Sequence, residues 1–206
     1  MFERFTKDAR AVVLGAVECA ERERAEAVDD GHMLLALLDR EASRASFALA
    51  SLGAARRRDS IEAALSGARR RGGLSRADTD ALAGLGIDLA EIVSRVEESH
   101  GEGALAAGAG KERRGRRTGK AWFGRVPFSR EAKDALVQSL RIATARHDRR
   151  IGDEHILLAL TVRPGVTAEV LADHGVTHAS VDRVLHGGVA GAGGAGGAGS
   201  TGRGVG

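Results

Sequence analysis

The sequence predicts an all-α protein built from two copies of one helical unit. Only two of the 206 residues are proline, and long stretches are rich in Ala, Leu, Glu and Arg, which are strong helix formers. Two motifs also recur: FTKDARAV at 5–12 returns as FSREAKDA at 128–135, and DGHMLLAL at 30–37 returns as DEHILLAL at 153–160. Both repeat at the same offset of 123 residues, so we expect the first two helices and their connecting turn to have equal lengths in the two copies.

Each copy begins with two helices of different character. Thr6 and Ser129 follow an aromatic residue and can accept hydrogen bonds from the free N–H groups of a helix start. The apolar residues after them recur every three to four positions, which indicates a helix with one buried face. The next helix, capped by Asp30 or Asp153, is apolar on nearly every side and is expected to be the buried centre of its unit.

Third and fourth helices complete the predicted unit. The third is expected at 43–52 and at 167–173, each followed by a glycine suited to a left-handed C′ position. The fourth is expected at 179–185 in the second copy, whereas the first copy offers two candidates, 59–65 and 88–98. The segment around the later candidate resembles the expected continuation more closely. We therefore expect an extra helix and loop within the first copy.

These features divide the chain into four parts: a first repeat at 1–65, an inserted helix (about 78–100) with a basic Gly-rich linker within 66–121, a second repeat at 122–187, and a Gly/Ala tail at 188–206. Residues 111–120 of the linker carry six basic side chains and one acid, a charge of +5, so the rest of the chain sums to −2 against the net charge of +3. A flexible tether is the favoured interpretation of this segment, and contact with nucleic acid is the alternative.

Composition narrows the class of protein further. A single cysteine, Cys19, cannot form an internal disulfide, and no stretch of the chain resembles a signal peptide or a membrane span. We therefore expect a cytoplasmic protein without membrane contact. His32 and His155 precede apolar runs at matching positions and are interpreted as structural, each bonded within its own unit. No metal site, other cofactor or catalytic set of residues is expected.

The repeated motifs resemble the Clp repeat. The opening MFERFT, the pattern F-[TS]-x-x-A-[RK] and the pattern D-[GE]-H-x-L-L-A-L carry the resemblance, which is closest to the N-domain of actinobacterial ClpC. It implies two four-helix units packed about a pseudo-twofold axis as one domain. An AAA+ motor would need a G-x-x-x-x-G-K-[ST] loop, and this sequence has none, so we expect a stand-alone N-domain.

The resemblance also implies a phosphoarginine site. A helix N-terminus can hold the phosphate while a carboxylate pairs with the guanidinium. The second copy offers Glu154 with Ser129 and the adjoining Asp153, whereas the first has Gly31 beside Thr6 and is expected to be lost or weakened. The alternative is that Glu154 is only a first-turn acid favoured by the helix dipole.

A hydrophobic groove is the second implied site. Phe2 and Phe128 match positions that line a groove for cyclic peptides in relatives of the ClpC branch, although buried hydrophobic staples explain them equally well. The expected function is a non-catalytic peptide- or protein-binding module that acts as an adaptor, regulator or decoy for a ClpC-type unfoldase. The alternatives are a nucleic-acid-associated regulator that uses the basic linker, and a degenerate structural domain without a ligand.

Overall fold

The computed structural model describes residues 2–101, 104–105 and 126–187. Within these ranges the protein is helical and contains no β-strand, which confirms the predicted all-α class. Short 3₁₀ helices occur at Phe2–Arg4 and Ala55–Arg57. The α-helices are α1 (Lys7–Arg22), α2 (Asp30–Leu38), α3 (Arg44–Ser51), α4 (Arg58–Arg70), α5 (Arg76–Gly84), α6 (Leu89–His100), α7 (Arg130–Ala145), α8 (Asp153–Val162), α9 (Val166–Asp173) and α10 (His178–His186).

The first helices of the two repeats are equivalent in length and in capping. Helices α1 and α7 each contain 16 residues. The hydroxyl of Thr6 accepts a hydrogen bond from the Ala9 N–H, and that of Ser129 accepts one from the Ala132 N–H, both at 3.2 Å. Both predicted N-caps are therefore confirmed, and the repeat in the sequence corresponds to a repeat in the structure.

Helices α2 and α8 form the buried centre of the molecule. Nearly all of their residues are inaccessible to solvent, as predicted from their apolar sequences. Their N-caps are Asp29 and Gly152, so the predicted caps Asp30 and Asp153 are wrong by one residue. Helix α8 packs against α7, α9 and α10 of its own repeat and against α1, α2 and α3 of the other. The two repeats therefore share one hydrophobic core.

Helix α4 provides the fourth helix of the first repeat. It buries Ile61, Leu65 and Ala68 and packs against α2 and α9, while α10 makes the corresponding contact with α3. In α6 only Leu89 is buried. The structure thus places the fourth helix of the first repeat at the earlier candidate, 59–65, and leaves 88–98 in the inserted segment, because α6 does not pack its apolar face into the shared core.

The beginning of each repeat crosses to the other repeat. Phe5 forms an isolated parallel β-bridge with Ile151, and Phe128 forms one with Val28. Thr6 donates its N–H to the Ile151 carbonyl at 2.9 Å, and Ser129 donates its N–H to the Val28 carbonyl at 2.8 Å. These paired contacts follow a pseudo-twofold relation between the repeats. They bring the start of α1 next to the start of α8.

Several sequence-based expectations lie outside the described residues. They concern the basic cluster at 111–120 and the tail at 188–206. Among the residues that are described, no single helix is both long and apolar enough to cross a membrane. Within the described residues, one pair of helices, α8 and α9, is long and apolar enough when the two are taken together. They are bent by 98° at their junction.

Candidate functional site

An open cleft of about 350 Å³ lies where the two repeats meet. The start of α1, the start of α3, the loop before α8 and the first turn of α8 form its walls. Its lining includes Thr6, Arg44, Arg149, Arg150, Asp153 and Glu154. The cleft therefore contains three of the four residues predicted for the phosphoarginine site, together with three arginines.

Glu154 lies at the base of the cleft and is 5% exposed. Its Oε1 accepts a hydrogen bond from Arg44 Nη1 at 2.7 Å, which neutralises the buried carboxylate. The carboxylate folds back over Gly152, where an added Cβ would stand only 1.9 Å from Glu154 Oε2. Glycine at position 152 thus leaves the space that the Glu154 carboxylate occupies.

Asp153 has a structural contact beside this carboxylate. It is 2% exposed, and its Oδ2 accepts a hydrogen bond from the backbone N–H of Ala45 at 3.2 Å. Ala45 lies in the first turn of α3, where N–H groups have no partner within the helix. Asp153 therefore fixes the start of α3, and with it Arg44, against α8.

Thr6 lies beside Glu154, whereas Ser129 does not line the cleft. The cleft therefore does not bring together Glu154 and Ser129, the pair expected from the sequence. That expectation assumed that each site is made within one repeat. The bridge between Phe5 and Ile151 instead places the N-terminus of α1 against the second repeat, so the cleft combines residues from both.

The sequence interpretation missed the arginines of the cleft. Arg149 and Arg150 are exposed at its rim, and in the described part of the chain neither takes part in an ion pair. Arg44 enters the cleft from α3. The motif comparison could not identify them, since Arg149 and Arg150 belong to the loop before the second motif and Arg44 belongs to the third helix.

The equivalent region of the first repeat is closed. Gly31 replaces the glutamate, and an added Cβ there would lie 3.2 Å from Arg69 Nη2. Arg69 donates to both carboxylate oxygens of Asp29 at 3.1 Å and to Glu23 Oε2 at 2.5 Å. An arginine from α4 therefore fills the space that a longer side chain at position 31 would need.

The charges of this closed region shift one another's pKa values. Burial alone would raise the pKa of Asp29, but the hydrogen bond with His32 and the charge of Arg69 outweigh it and hold that pKa well below its usual range. Burial opposes the charging of His32, yet its contacts with Asp29 and Glu23 raise its pKa. Hydrogen bonding to His32 lowers the pKa of Glu23.

The two histidines at matching positions of the motifs bond within their own repeats, which confirms the prediction made for them. His32 Nδ1 accepts the Asp29 N–H at 3.0 Å, and His155 Nδ1 accepts the Gly152 N–H at 2.9 Å. His155 Nε2 lies 2.9 Å from an oxygen of Asp148. Both rings therefore cap the starts of the central helices, and the part of the chain described here holds no group of three or more potential metal ligands.

Of the two residues predicted to line a hydrophobic groove, the structure describes the side chain of one, Phe128. Phe128 is half-buried and packs against the shared core. The side chain of Phe2 lies outside the described residues. A different aromatic ring, that of Phe47, is 63% exposed on α3, one turn beyond Arg44. Among the exposed large apolar side chains of the described residues, Phe47 on α3 is therefore the one closest in sequence to a residue of the cleft.

Fold and cleft together define an all-α domain of two repeats that share one core. Residues 127–196 match the family described as the Clp repeat (R) N-terminal domain. The fold is similar to that of the N-terminal domain of the caseinolytic protease associated chaperone ClpD from Arabidopsis thaliana, with a TM-score of 0.50 at 18% identity, covering 93% of this chain and 97% of that one. A structure from a study of a malarial protein secretion system gives a TM-score of 0.44 at 12% identity over 88% of this chain and 92% of that one.

Proposed function

We propose that this chain is a non-catalytic module that binds proteins or peptides for a Clp-type protease system, and that the Glu154 cleft binds phosphorylated arginine side chains. The family match over 127–196 and the fold shared with a Clp chaperone N-domain support the first part. The observation that carries the second is a buried carboxylate already paired with a guanidinium, in a cleft with two further arginines at its rim.

The pairing of Glu154 with Arg44 supports recognition of a guanidinium. Arg44 has a side chain that is 55% exposed and gives one hydrogen bond to Glu154. The guanidinium of Arg44 is largely exposed and can turn into solvent, so a ligand guanidinium can take its place beside Glu154. The carboxylate keeps a positive partner throughout, which avoids leaving a buried charge unpaired.

The surroundings of Glu154 support binding of the phosphate. The first N–H groups of α1 have no carbonyl partner within the helix, and the positive end of the helix dipole favours an anion. Arg149 and Arg150, together with a displaced Arg44, add cationic donors on the same cleft. One cleft thus offers an acceptor for the guanidinium and donors for the phosphate.

In this proposal the chain acts as an adaptor, regulator or decoy for a ClpC-type unfoldase. Its cleft would bind the same modified arginines that mark substrates, and it would either deliver those substrates or compete for them. An unfoldase or its substrates and adaptors are accordingly the proposed partners. A cyclic peptide that contacts Phe128 is a second proposed ligand class.

Calorimetric titration with free phosphoarginine tests the cleft. We expect saturable binding to the full chain, and a dissociation constant about 10–100 times higher for Glu154→Gln, because a charge-assisted hydrogen bond to the guanidinium is lost. Unphosphorylated arginine should bind much more weakly, since it lacks the group that the α1 N-terminus and the rim arginines hold.

Glu91→Gln is the matched control, because Glu91 also pairs with an arginine, Arg95, but lies on the surface of α6. It should bind like the wild type. Absence of saturable binding to the wild type, or an equal dissociation constant for Glu154→Gln, would falsify the proposed ligand. Retention of the chain on DNA at physiological salt would instead favour the nucleic-acid alternative.

A further inference from the structure

The two repeats carry a glycine and an acid in exchanged positions. The first reads Asp29, Asp30, Gly31, and the second reads Gly152, Asp153, Glu154. In both, the acidic side chain beside the shared central aspartate holds the guanidinium of an arginine. In both repeats the glycine leaves space for these side chains. A Cβ at position 152 would overlap the Glu154 carboxylate, and a Cβ at position 31 would lie in tight contact with Arg69. The two repeats therefore each present a carboxylate to a guanidinium, from different positions.

The two guanidinium groups are held very differently. Arg44 makes one hydrogen bond to Glu154 and remains 55% exposed. Arg69 donates Nε and Nη2 to the two oxygens of Asp29 and Nη1 to Glu23, and its side chain is 25% exposed. A planar guanidinium matched to a carboxylate by two parallel bonds is a specific and strong arrangement. The guanidinium of Arg69 is thus held in one orientation, whereas that of Arg44 is loosely held.

Within the described residues only the first repeat has this arrangement, and the length of α4 explains it. Helix α4 contains 13 residues and carries Arg69 in its last turn, whereas the corresponding helix of the second repeat, α10, contains nine. Helix α10 ends at His186, before it would reach an equivalent point. The added turn of α4 carries the arginine across to Asp29 and Glu23.

We propose that Arg69 is an internal ligand: the first repeat contains a guanidinium-binding site, formed by Asp29 and Glu23 beside Gly31, which the chain fills with its own side chain. The first repeat is therefore closed to external guanidinium groups, and the described part of the chain has one open site. This inference rests on the contacts of Arg69 and does not require phosphoarginine to be the ligand of the second repeat.

Rescue of Arg69→Ala by a small guanidinium compound tests the proposal. Removal of the side chain should lower the melting temperature and leave a vacant site with two facing carboxylates. Methylguanidinium at low millimolar concentration, well below denaturing levels, should then raise the melting temperature of the variant by about 3 °C when present at about ten times its dissociation constant. The wild type should show no such gain.

Arg146→Ala is the matched control, because Arg146 is as exposed as Arg69 but gives one nitrogen to a carboxylate, that of Asp182, where Arg69 gives three nitrogens to two carboxylates. Methylguanidinium should leave its melting temperature unchanged. Equal responses of the two variants, or no response of Arg69→Ala, would overturn the proposal, and neither outcome bears on binding at Glu154.

A second measurement on the unmodified chain covers the case in which Arg69→Ala does not fold. Side-chain NMR spectra should show the Nε–H proton of Arg69 exchanging slowly with water, because it is hydrogen-bonded to Asp29. The Nε–H proton of Arg44, which belongs to a largely exposed side chain, should exchange rapidly. Rapid exchange at both positions would contradict a filled site.

Discussion

Replacing Leu157 with alanine is expected to lower the free energy of unfolding by about 2–5 kcal/mol, the range for deletion of a fully buried leucine side chain. Leu157 is 0% exposed on α8. Because α8 contacts helices of both repeats, a cavity there weakens the packing of the whole core. Urea denaturation followed by far-UV circular dichroism measures the change.

Val162→Ala is the control on the same helix, since Val162 is 47% exposed at its end. It should change the free energy of unfolding by no more than about 0.5 kcal/mol. Both variants and the wild type should unfold in one transition, because the repeats share a core. Two separate transitions, with only one shifted in Leu157→Ala, would contradict a single folding unit.

Replacing Asp29 with alanine is expected to lower the free energy of unfolding by about 2–4 kcal/mol. Asp29 caps α2 by accepting the His32 N–H at 2.8 Å, and it holds Arg69 through two hydrogen bonds. The variant loses the cap and leaves a partly buried guanidinium without its main partner. Thermal or urea unfolding at pH 6 measures the effect.

The destabilisation caused by Asp29→Ala should depend on pH. Since the pKa of Asp29 is lower in the folded protein than the usual 3.8, its contribution to stability is present above pH 3.8 and is lost as the pH falls through the folded pKa. Since the pKa of His32 is raised above 6.5, its contribution is present below pH 6.5 and is lost as the pH rises through the folded pKa.

The difference in the free energy of unfolding between the wild type and Asp29→Ala should therefore be largest between about pH 4 and 6.5. It should shrink below and above this range. Asp182→Ala serves as the comparison, because Asp182 pairs with Arg146 at the surface and should contribute about 0–1 kcal/mol. A pH-independent difference for Asp29→Ala would show that the contacts among Asp29, His32 and Arg69 do not stabilise the fold.

The repeat and its local structure could be read from the sequence because their signals are local. Capping residues such as Thr6 and Ser129 act within one helical turn, and a helix apolar on every side, such as α8, has to be buried. The common offset of the motifs then set the lengths of both helices and the turn between them. For these elements the residues of one segment determine its structure.

The composition of the cleft could not be read in the same way, because it depends on contacts between distant segments. The bridge between Phe5 and Ile151 places Thr6 beside Glu154, and the sequence gives no local sign of it. The positions of Arg44 and Arg69 depend on the packing of α3 and α4. Helix α6 is the opposite case. Its amphipathic sequence pattern suggested that it packs into the core as the fourth helix of the first repeat, but α4 occupies that position.

The most direct test of the proposed site is an NMR titration of the ¹⁵N-labelled chain with phosphoarginine. We expect progressive shifts of the backbone amides of Thr6, Asp8 and Glu154, which lie around one cleft contributed by both repeats. The amides of Gly31 and Ser129 should remain in place, because the first repeat is filled by Arg69 and Ser129 does not line the cleft. Shifts centred on Gly31 and Ser129, or no shifts at all, would contradict the account.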